Sequence, residues 1–358
     1  MRKFVNSTII NAFTQAVEEG KNKQFMFFPS SAERYTYAQA DAETKRLAKG
    51  YLALGVKKGD TVALLAPNSS DWCLSFLALV RIGATVVSVN TNFKARELAY
   101  VIKDSGAVLL VTAPCSAHMD YMELVKKMLP GVENSVPGQL QNPQFAALRG
   151  VVCTADVTDA GIVTRSDLIK RGEGVEDELL YQAQAKVQPE DYCNMQYTSG
   201  TTGDPKGVKG THFAAVNNAL DVSRQLQLQQ QDVICSALPL FHCFAFISVF
   251  CAAIVTRASL LLPAAFDAEK LLQNMQDEKA TYLCAVPTML IALLGHPGLG
   301  GYQLALDRVF VGGALCPESV IKGAQQNLGV RNVYHGYGLT EGTCCVTMTH
   351  PSHSGLNL

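Results

Sequence analysis

Residues 197 to 208 run Tyr197-Thr198-Ser199-Gly200-Thr201-Thr202-Gly203-Asp204-Pro205-Lys206-Gly207-Val208, and no other segment of the chain carries as much information. Small hydroxyl and glycine residues crowd one side of a single lysine. Glycine admits positive φ and close backbone approach, and successive main-chain N–H groups make a concavity for an anion. Thr198, Ser199, Thr201 and Thr202 add hydroxyl donors, and Lys206 adds a full positive charge. Residues 193–197 read as a strand and 211–226 as a helix, which is the setting of a phosphate loop. The Walker pattern is not met, because it needs four residues between two glycines and then Lys and Ser or Thr. Only Thr201 and Thr202 separate Gly200 from Gly203, and Pro205 precedes the lysine. A polar surface loop is the plain alternative, since clusters of Gly, Ser and Thr usually are one. The ordered succession of residues argues against it.

Outward from this loop, strand-like and helix-like segments alternate. That pattern predicts an α/β architecture with mostly parallel sheets. Strands are expected at 61–66, 84–89, 108–111, 150–153, 233–236, 259–262, 281–286, 308–311 and 332–335. Helices are expected at 37–54, capped by Thr36 and stopped by Gly55, and at 70–81, 95–103, 266–276 and 317–327. The strands are continuous apolar runs rather than alternations, so both sheet faces are covered. Residues 130–174, broken by Gly131, Pro137, Pro143 and Gly161, read as long loops around the strand at 150–153. No internal repeat or low-complexity linker is visible.

Composition agrees with a globular enzyme-sized chain. At 358 residues, two or more subdomains are expected. Hydrophobic residues make up 48% and charged residues 17%, enough apolar material for large buried sheets. The formal net charge of −1 gives no electrostatic case for a nucleic-acid partner. Asn6, Ser7 and Thr8 follow the basic start, so no secretory apolar region forms there. The apolar run 243–256 is too short to cross a bilayer and ends at Arg257, so it reads as a buried helix and no integral membrane segment is expected. The eleven cysteines contain no C-x-x-C pair, and adjacent Cys344 and Cys345 are poorly placed for a disulfide. A reducing cytoplasm is the expected location. His350 and His353, without cysteines or carboxylates at zinc spacing, do not suggest a metal site.

The loop at 197–208 closely resembles the signature of the adenylate-forming (AMP-binding) enzyme superfamily. Its members include acyl-CoA synthetases, aryl-CoA ligases, luciferases and nonribosomal peptide adenylation domains. Three later segments resemble the same family in the same order. They are Leu238-Pro239-Leu240-Phe241-His242-Cys243-Phe244, then Val311-Gly312-Gly313-Ala314, then Tyr334-His335-Gly336-Tyr337-Gly338-Leu339-Thr340-Glu341. The first 190 residues are similar more loosely, through Asn68, Gly83 and the helix holding Glu97. The resemblance is strongest to fatty acyl-CoA synthetases. It implies an α/β fold of two stacked, mostly parallel sheets flanked by helices in αβαβα layers, the large N-terminal domain of the acyl-CoA synthetase fold. It also implies an active site between the sheets, with subdomains at about 60–225 and about 1–59 plus 226–345.

The implied chemistry is ATP-dependent activation of a carboxylic acid to acyl-AMP and then to acyl-CoA. A carboxylate is a poor electrophile, and the mixed anhydride cures that. Mg²⁺ and hydrogen-bond donors must neutralise the charge that develops on the phosphates. By resemblance, Thr198, Ser199, Gly200, Thr201, Thr202, Gly203 and Lys206 hold phosphates. Gly312, Gly313 and Ala314 leave room for the purine, and Gly336, Tyr337 and Gly338 carry the adenine platform. Thr340 contacts phosphate and Glu341 is the magnesium ligand, a hard oxygen suited to that ion. His242 lies near the substrate carboxylate, with Phe241, Phe244 and His335 as pocket candidates; His212 is expected to be structural. Lys206, His242, Thr340 and Glu341 form the expected catalytic set, and ATP, Mg²⁺ and coenzyme A the expected cofactors.

Residues 238–262 are aliphatic and aromatic, without a charge suited to an amino-acid substrate. A small-molecule fatty acid of medium or long chain is therefore expected, and a homodimer is compatible with the reading. The family's later ribose-binding Thr-Gly-Asp and lid lysine do not follow Glu341. The expectation is an N-terminal part, lacking the C-terminal lid domain, that binds nucleotide but is largely inactive in full ligation. Alternatives are an aryl-CoA ligase or other adenylate-forming enzyme, a non-catalytic nucleotide-binding fragment, and a P-loop kinase or ATPase.

Overall fold

The computed structural model describes residues 3–198 and 204–349. Its strands are β1 Gln24–Phe28, β2 Glu33–Thr36, β3 Thr61–Leu65, β4 Thr85–Ser88, β5 Leu109–Thr112, β6 Gly150–Cys153, β7 Tyr192–Thr198, β8 Lys206–Thr211, β9 Val233–Cys235, β10 Ser259–Leu261, β11 Tyr282–Ala285, β12 Arg308–Gly312, β13 Asn332–Leu339 and β14 Cys344–Met348. They form an eight-stranded sheet, β14-β13-β12-β11-β9-β10-β1-β2, and a six-stranded sheet, β6-β5-β3-β4-β7-β8. Pairing is parallel except at three edge pairs, β1–β2, β13–β14 and β7–β8. The fold is thus mixed α/β with two mostly parallel sheets flanked by helices, as expected.

The described residues divide into two compact units. One comprises 3–5, 11–38 and 214–349; the other comprises 6–10 and 39–213. Set beside the expected partition, residues 6–10 and 39–59 count with the second unit and 214–225 with the first.

Local chemistry explains the elements. Strands β4, β5, β6 and β11 are buried along their whole length, as strands covered by helices on both faces must be. The helix Ser70–Arg81 is capped by the Ser69 hydroxyl, which accepts the Trp72 N–H at 3.2 Å. It buries almost every residue, including Arg81 at its end. That guanidinium donates to Asp41 at 2.5 Å, Gln184 at 2.8 Å and Thr44 at 3.1 Å. Arg308 plays the same part in the other unit, donating to Asp232 at 2.5 Å and to the Leu226 and Gln227 carbonyls at 2.9 and 2.6 Å. Charges buried so deeply persist only when paired.

Four strands escape a reading of the sequence: β1, β2, β8 and β14. The most consequential is β8. The segment after the Gly/Ser/Thr loop is not a direct entry into a helix. It is a strand paired antiparallel with β7, in register Thr198↔Lys206, and the helix begins only at His212. Gly207 and Gly210 supply the reason. A Cβ on Gly207 would lie 2.0 Å from the Met195 Cε, and one on Gly210 would lie 2.3 Å from the Asn194 Oδ1. Their lack of a side chain makes room for β7, while the same lack weakens any strand signal in the sequence.

The expected loops at 130–174 also contain a helix, Arg165–Gly172, with Thr164 accepting the Asp167 N–H at 3.1 Å. The buried helix expected at 243–256 is present, but Phe246–Cys251 winds as a π-helix between two α-helical ends.

His212 is structural. It is fully buried, and its Nδ1 accepts the Ile9 N–H at 3.2 Å. Among the described residues its Nε2 has no hydrogen-bond partner. Burial pushes the ring down to about 4. The folded state therefore holds the neutral ring, whose stability contribution is complete above the unfolded value near 6.5 and fades as pH falls toward 4. Between pH 7 and pH 5 the loss is about 2 kcal/mol. Chemical denaturation at the two pH values is expected to show that loss in the wild type and a clearly smaller one in His212→Gln. Equal pH dependence in the two proteins would rule the histidine out as its source.

Candidate active site

The glycines of the later motifs fall in one register. Gly312 on β12 pairs with Gly336 on β13, and Phe310 pairs with Tyr334. Side chains two apart on a strand share a face, so Phe310, Gly312, Gly336 and Gly338 lie on one face of neighbouring strands. Three of these four positions carry no side chain. The result is a strip of bare backbone at the ends of β12 and β13, and it floors an open cleft. His242, Cys243, Phe244 and Tyr337 line it as well, with Cys344 and Cys345.

Packing within the protein already requires these glycines. A Cβ on Gly336 would meet the Phe310 ring at 2.5 Å, and one on Gly338 would meet the Cys344 carbonyl oxygen at 1.7 Å. A Cβ on Gly312 would lie 3.1 Å from the Gly336 carbonyl oxygen and 3.2 Å from the Phe244 ring. Gly313 has φ +81°, a left-handed backbone that glycine adopts freely. Phe244 and Phe310 meet edge to face, with centroids 5.1 Å apart, and close the apolar side of the cleft.

The wall opposite the strand ends begins at His242, which caps the helix that follows. Its Nδ1 accepts the Phe244 N–H at 3.2 Å, so the neutral ring carries its proton on Nε2. The ring is exposed, and the neighbouring Cys243 thiol, 3.8 Å from Nδ1, holds it above its ordinary value. Thr340 donates its hydroxyl to the Cys243 sulfur at 3.6 Å, joining two segments 97 residues apart. The Cys344 thiol is the main cause that draws the Cys243 thiol below its usual range, and His242 and Thr340 act in the same direction. Cys344 moves up instead, as donor to Cys243 and as a buried group.

Tyr337 projects from β13 with 65% of its surface exposed. An aromatic ring this exposed on a glycine-flanked strand buries little for the fold. His335 does not line the cleft; its Nε2 bonds the Ala314 carbonyl at 3.2 Å and so ties β13 to the turn after Gly313. Phe241 is not among the lining residues either. Glu341 lies in a short 3₁₀ turn, Thr340–Gly342, exposed and without a hydrogen bond or ion pair among the described residues.

In the other unit, Thr198 and Lys206 face each other at the base of the β7–β8 hairpin. Ser199, Gly200, Thr201, Thr202 and Gly203 lie outside the described residues. The hairpin base is fixed by Tyr197, whose hydroxyl donates to Asp104 at 2.6 Å and whose ring meets Tyr100 edge-on. Lys206 is exposed and makes no ion pair among the described residues.

Sequence reasoning missed Phe310, Cys243, Cys344 and Cys345 as cleft residues. Phe310 was accessible through strand period, since it stands two before Gly312. Cys344 and Cys345 depend on β14, whose antiparallel pairing carries no local signal.

A model of the AMP-binding enzyme family matches residues 13–357. YngI of Bacillus subtilis (strain 168), an acyl-CoA synthetase by name, is 34% identical over 355 residues, covering 99% of this chain and 65% of YngI. The mitochondrial medium-chain acyl-CoA ligase ACSF2 of Danio rerio is 29% identical over 342 residues, covering 94% of this chain and 56% of that protein. The chain thus spans between about half and two thirds of these relatives. Among solved structures, the N-terminal domain of FACL13 from Mycobacterium tuberculosis superposes with a TM-score of 0.80 at 25% identity, covering 96% of this chain and 78% of that one. With one family model spanning nearly its whole length, the chain belongs to the AMP-binding enzymes.

Proposed function

We propose that this protein activates a small carboxylic acid with ATP, forming an acyl-adenylate, and that the whole protein passes the acyl group to coenzyme A. The observation that carries this reading is the cleft floored by Gly312, Gly336 and Gly338, with the bare ring of Tyr337 at its rim. A flat purine fits beside a strip of backbone that presents no side chains, and Tyr337 offers it a stacking face. Thr198 and Lys206, with residues 199–203, hold the phosphate tail; the ammonium neutralises charge that grows on the departing pyrophosphate. Gly313 and Ala314 continue the backbone rim beside the purine. His242, through its Nε2–H, donates to the acid's carboxylate, and Thr340 offers its hydroxyl to phosphate.

Phe244 and Phe310 supply the apolar wall against which an acyl group lies. A fatty acid of medium or long chain is the first choice of substrate. The two ring faces make an aryl acid the second. Glu341 suits Mg²⁺, because an exposed, unpaired carboxylate beside substrate phosphates is how that ion is usually held. When bound, the ion would neutralise phosphate charge. Among the described residues no helix is long and apolar enough to cross a membrane. All eleven cysteines are free, which suits a reducing compartment, and we place the protein in the cytoplasm on that ground.

The decisive experiment is exchange of labelled pyrophosphate into ATP, run with a panel of medium-chain, long-chain and aryl acids. Exchange is expected only when an acid is present, and the most active acid names the substrate class. Phosphate release from ATP with no acid present would favour a phosphohydrolase, and ATP binding without exchange would favour a non-catalytic nucleotide binder.

Lys206→Ala is expected to weaken ATP binding by roughly ten- to a hundredfold, the size of a lost charge-assisted hydrogen bond. Its melting temperature should stay unchanged, because the side chain supports nothing in the fold. Calorimetric titration alongside thermal unfolding reads both quantities, and unaltered affinity would remove the lysine from the phosphate site.

Glu341→Gln is expected to flatten the magnesium dependence of ATP affinity while leaving metal-free binding close to wild type. Titrations at several Mg²⁺ concentrations check this, and parallel curves for the two proteins would dismiss the carboxylate as a ligand.

A further inference from the structure

The mechanism above makes no use of the sulfur atoms in the cleft wall, and their arrangement is specific. Cys243, at the start of the helix that leads into the π-wound turn, and Cys344, at the start of β14, come from segments 101 residues apart, yet both line the same cleft. Each has its own hydroxyl neighbour. Thr340 donates to the Cys243 sulfur at 3.6 Å, and the Ser248 hydroxyl lies 3.7 Å from the Cys344 sulfur. Cys345 is committed elsewhere: its N–H is held by Asn218 at 3.2 Å, and its thiol points to the Thr347 carbonyl at 3.5 Å. Both Cys243 and Cys344 line the cleft, so a water-sized reagent reaches them through it.

We propose that Cys243 and Cys344 are a modification site, a dithiol that hydrogen peroxide oxidises to a disulfide across the cleft wall. Cys243 is the attacking sulfur. The Cys344 thiol, His242 and Thr340 all favour its thiolate, and Thr340 donates to it directly, whereas Cys243 and burial keep the Cys344 thiol protonated. The Cys243 sulfur attacks one peroxide oxygen and the O–O bond breaks. Hydroxide leaves with the thiol proton as water, giving a sulfenic acid. The Cys344 sulfur then attacks the sulfenic sulfur, the S–S bond forms, the S–O bond breaks, and a second water departs. Two electrons pass from the dithiol to peroxide. The short helix that starts at Cys243 packs against β14, which starts at Cys344, so the two side chains enter one cleft from adjoining elements. The bond would tie the segment after His242 to β14 and narrow the cleft. The inference is independent of which acid, or whether any acid, is activated.

The test treats the reduced protein with hydrogen peroxide, blocks the remaining thiols in denaturant, and maps peptides by mass spectrometry. A peptide pair joining Cys243 to Cys344, released by dithiothreitol, is the expected product. In Cys344→Ser the sulfenic acid is stranded, so dimedone is expected to capture Cys243 roughly tenfold faster than it captures exposed Cys115. Both thiols still free after peroxide is consumed, a bridge from Cys243 to Cys345, or capture no faster than at Cys115 would each overturn the proposal. Should Cys344→Ser fail to fold, the wild-type peptide map decides alone.

Discussion

The end of β13 can carry no side chain at two positions, and that steric limit shapes the cleft-bearing unit. The Phe310 ring fills the space a Cβ would need at Gly336, and the Cys344 carbonyl fills it at Gly338. Close approach of β14 to β13 is possible only because Gly338 is bare. Pairing with β14 in turn places Cys344 and Cys345 beside the strand ends. Phe310 can lean across toward β13 only because Gly336 is bare, and in leaning it meets Phe244 edge-on. A concave, apolar, side-chain-free strip follows without any further device. Backbone is also the most rigid floor available, since it has no rotamers to lose when something binds against it.

The β7–β8 hairpin of the other unit is built on opposite terms. It brings Thr198 opposite Lys206 and is anchored at its base by the Tyr197–Asp104 hydrogen bond. Burial strengthens that bond, and together with Asp104 it keeps the Tyr197 hydroxyl protonated well above its usual range. Beneath the hairpin, Gly207 and Gly210 accept the side chains of β7 into the space their own would occupy. Anchorage lies in the strand pair, and the glycines within it serve β7 packing.

Legibility in the sequence followed burial. Helix-covered strands such as β4 and β5 announce themselves as β-branched apolar runs, and Ser70–Arg81 announces itself through its cap and apolar face. What hid were elements whose evidence lies in a partner. β8 is half exposed and glycine-bearing, so only the shape of β7 justifies it. β14 follows a turn in which Thr343 takes a left-handed backbone, φ +71°, uncommon for threonine and invisible in composition. The helix Arg165–Gly172 buries only Leu168 and Gly172, too little for a periodicity reading, although Thr164 and Asp167 at N-cap spacing were a usable signal. The cleft residues divide the same way: Gly312, Gly336 and Tyr337 were readable as motifs, whereas Cys344 needed the register of an antiparallel pair.

These packing demands change how the motif residues count as evidence of function. Gly336 and Gly338 would be required in a protein that bound nothing, since the Phe310 ring and the Cys344 carbonyl exclude any other residue. Their presence in a nucleotide-type motif therefore says little by itself about a nucleotide. Lys206, Tyr337 and Glu341 stand in the other position. Each is exposed, and neither charged residue has an ion-pair partner among the described residues. An exposed charge contributes little to folding, and a ring this exposed gains little from burial. The fold gives no reason for a lysine, a tyrosine or a glutamate at these three places. Under the function we propose, the reason is a ligand: an anion for the lysine, a flat ring for the tyrosine and a metal ion for the glutamate.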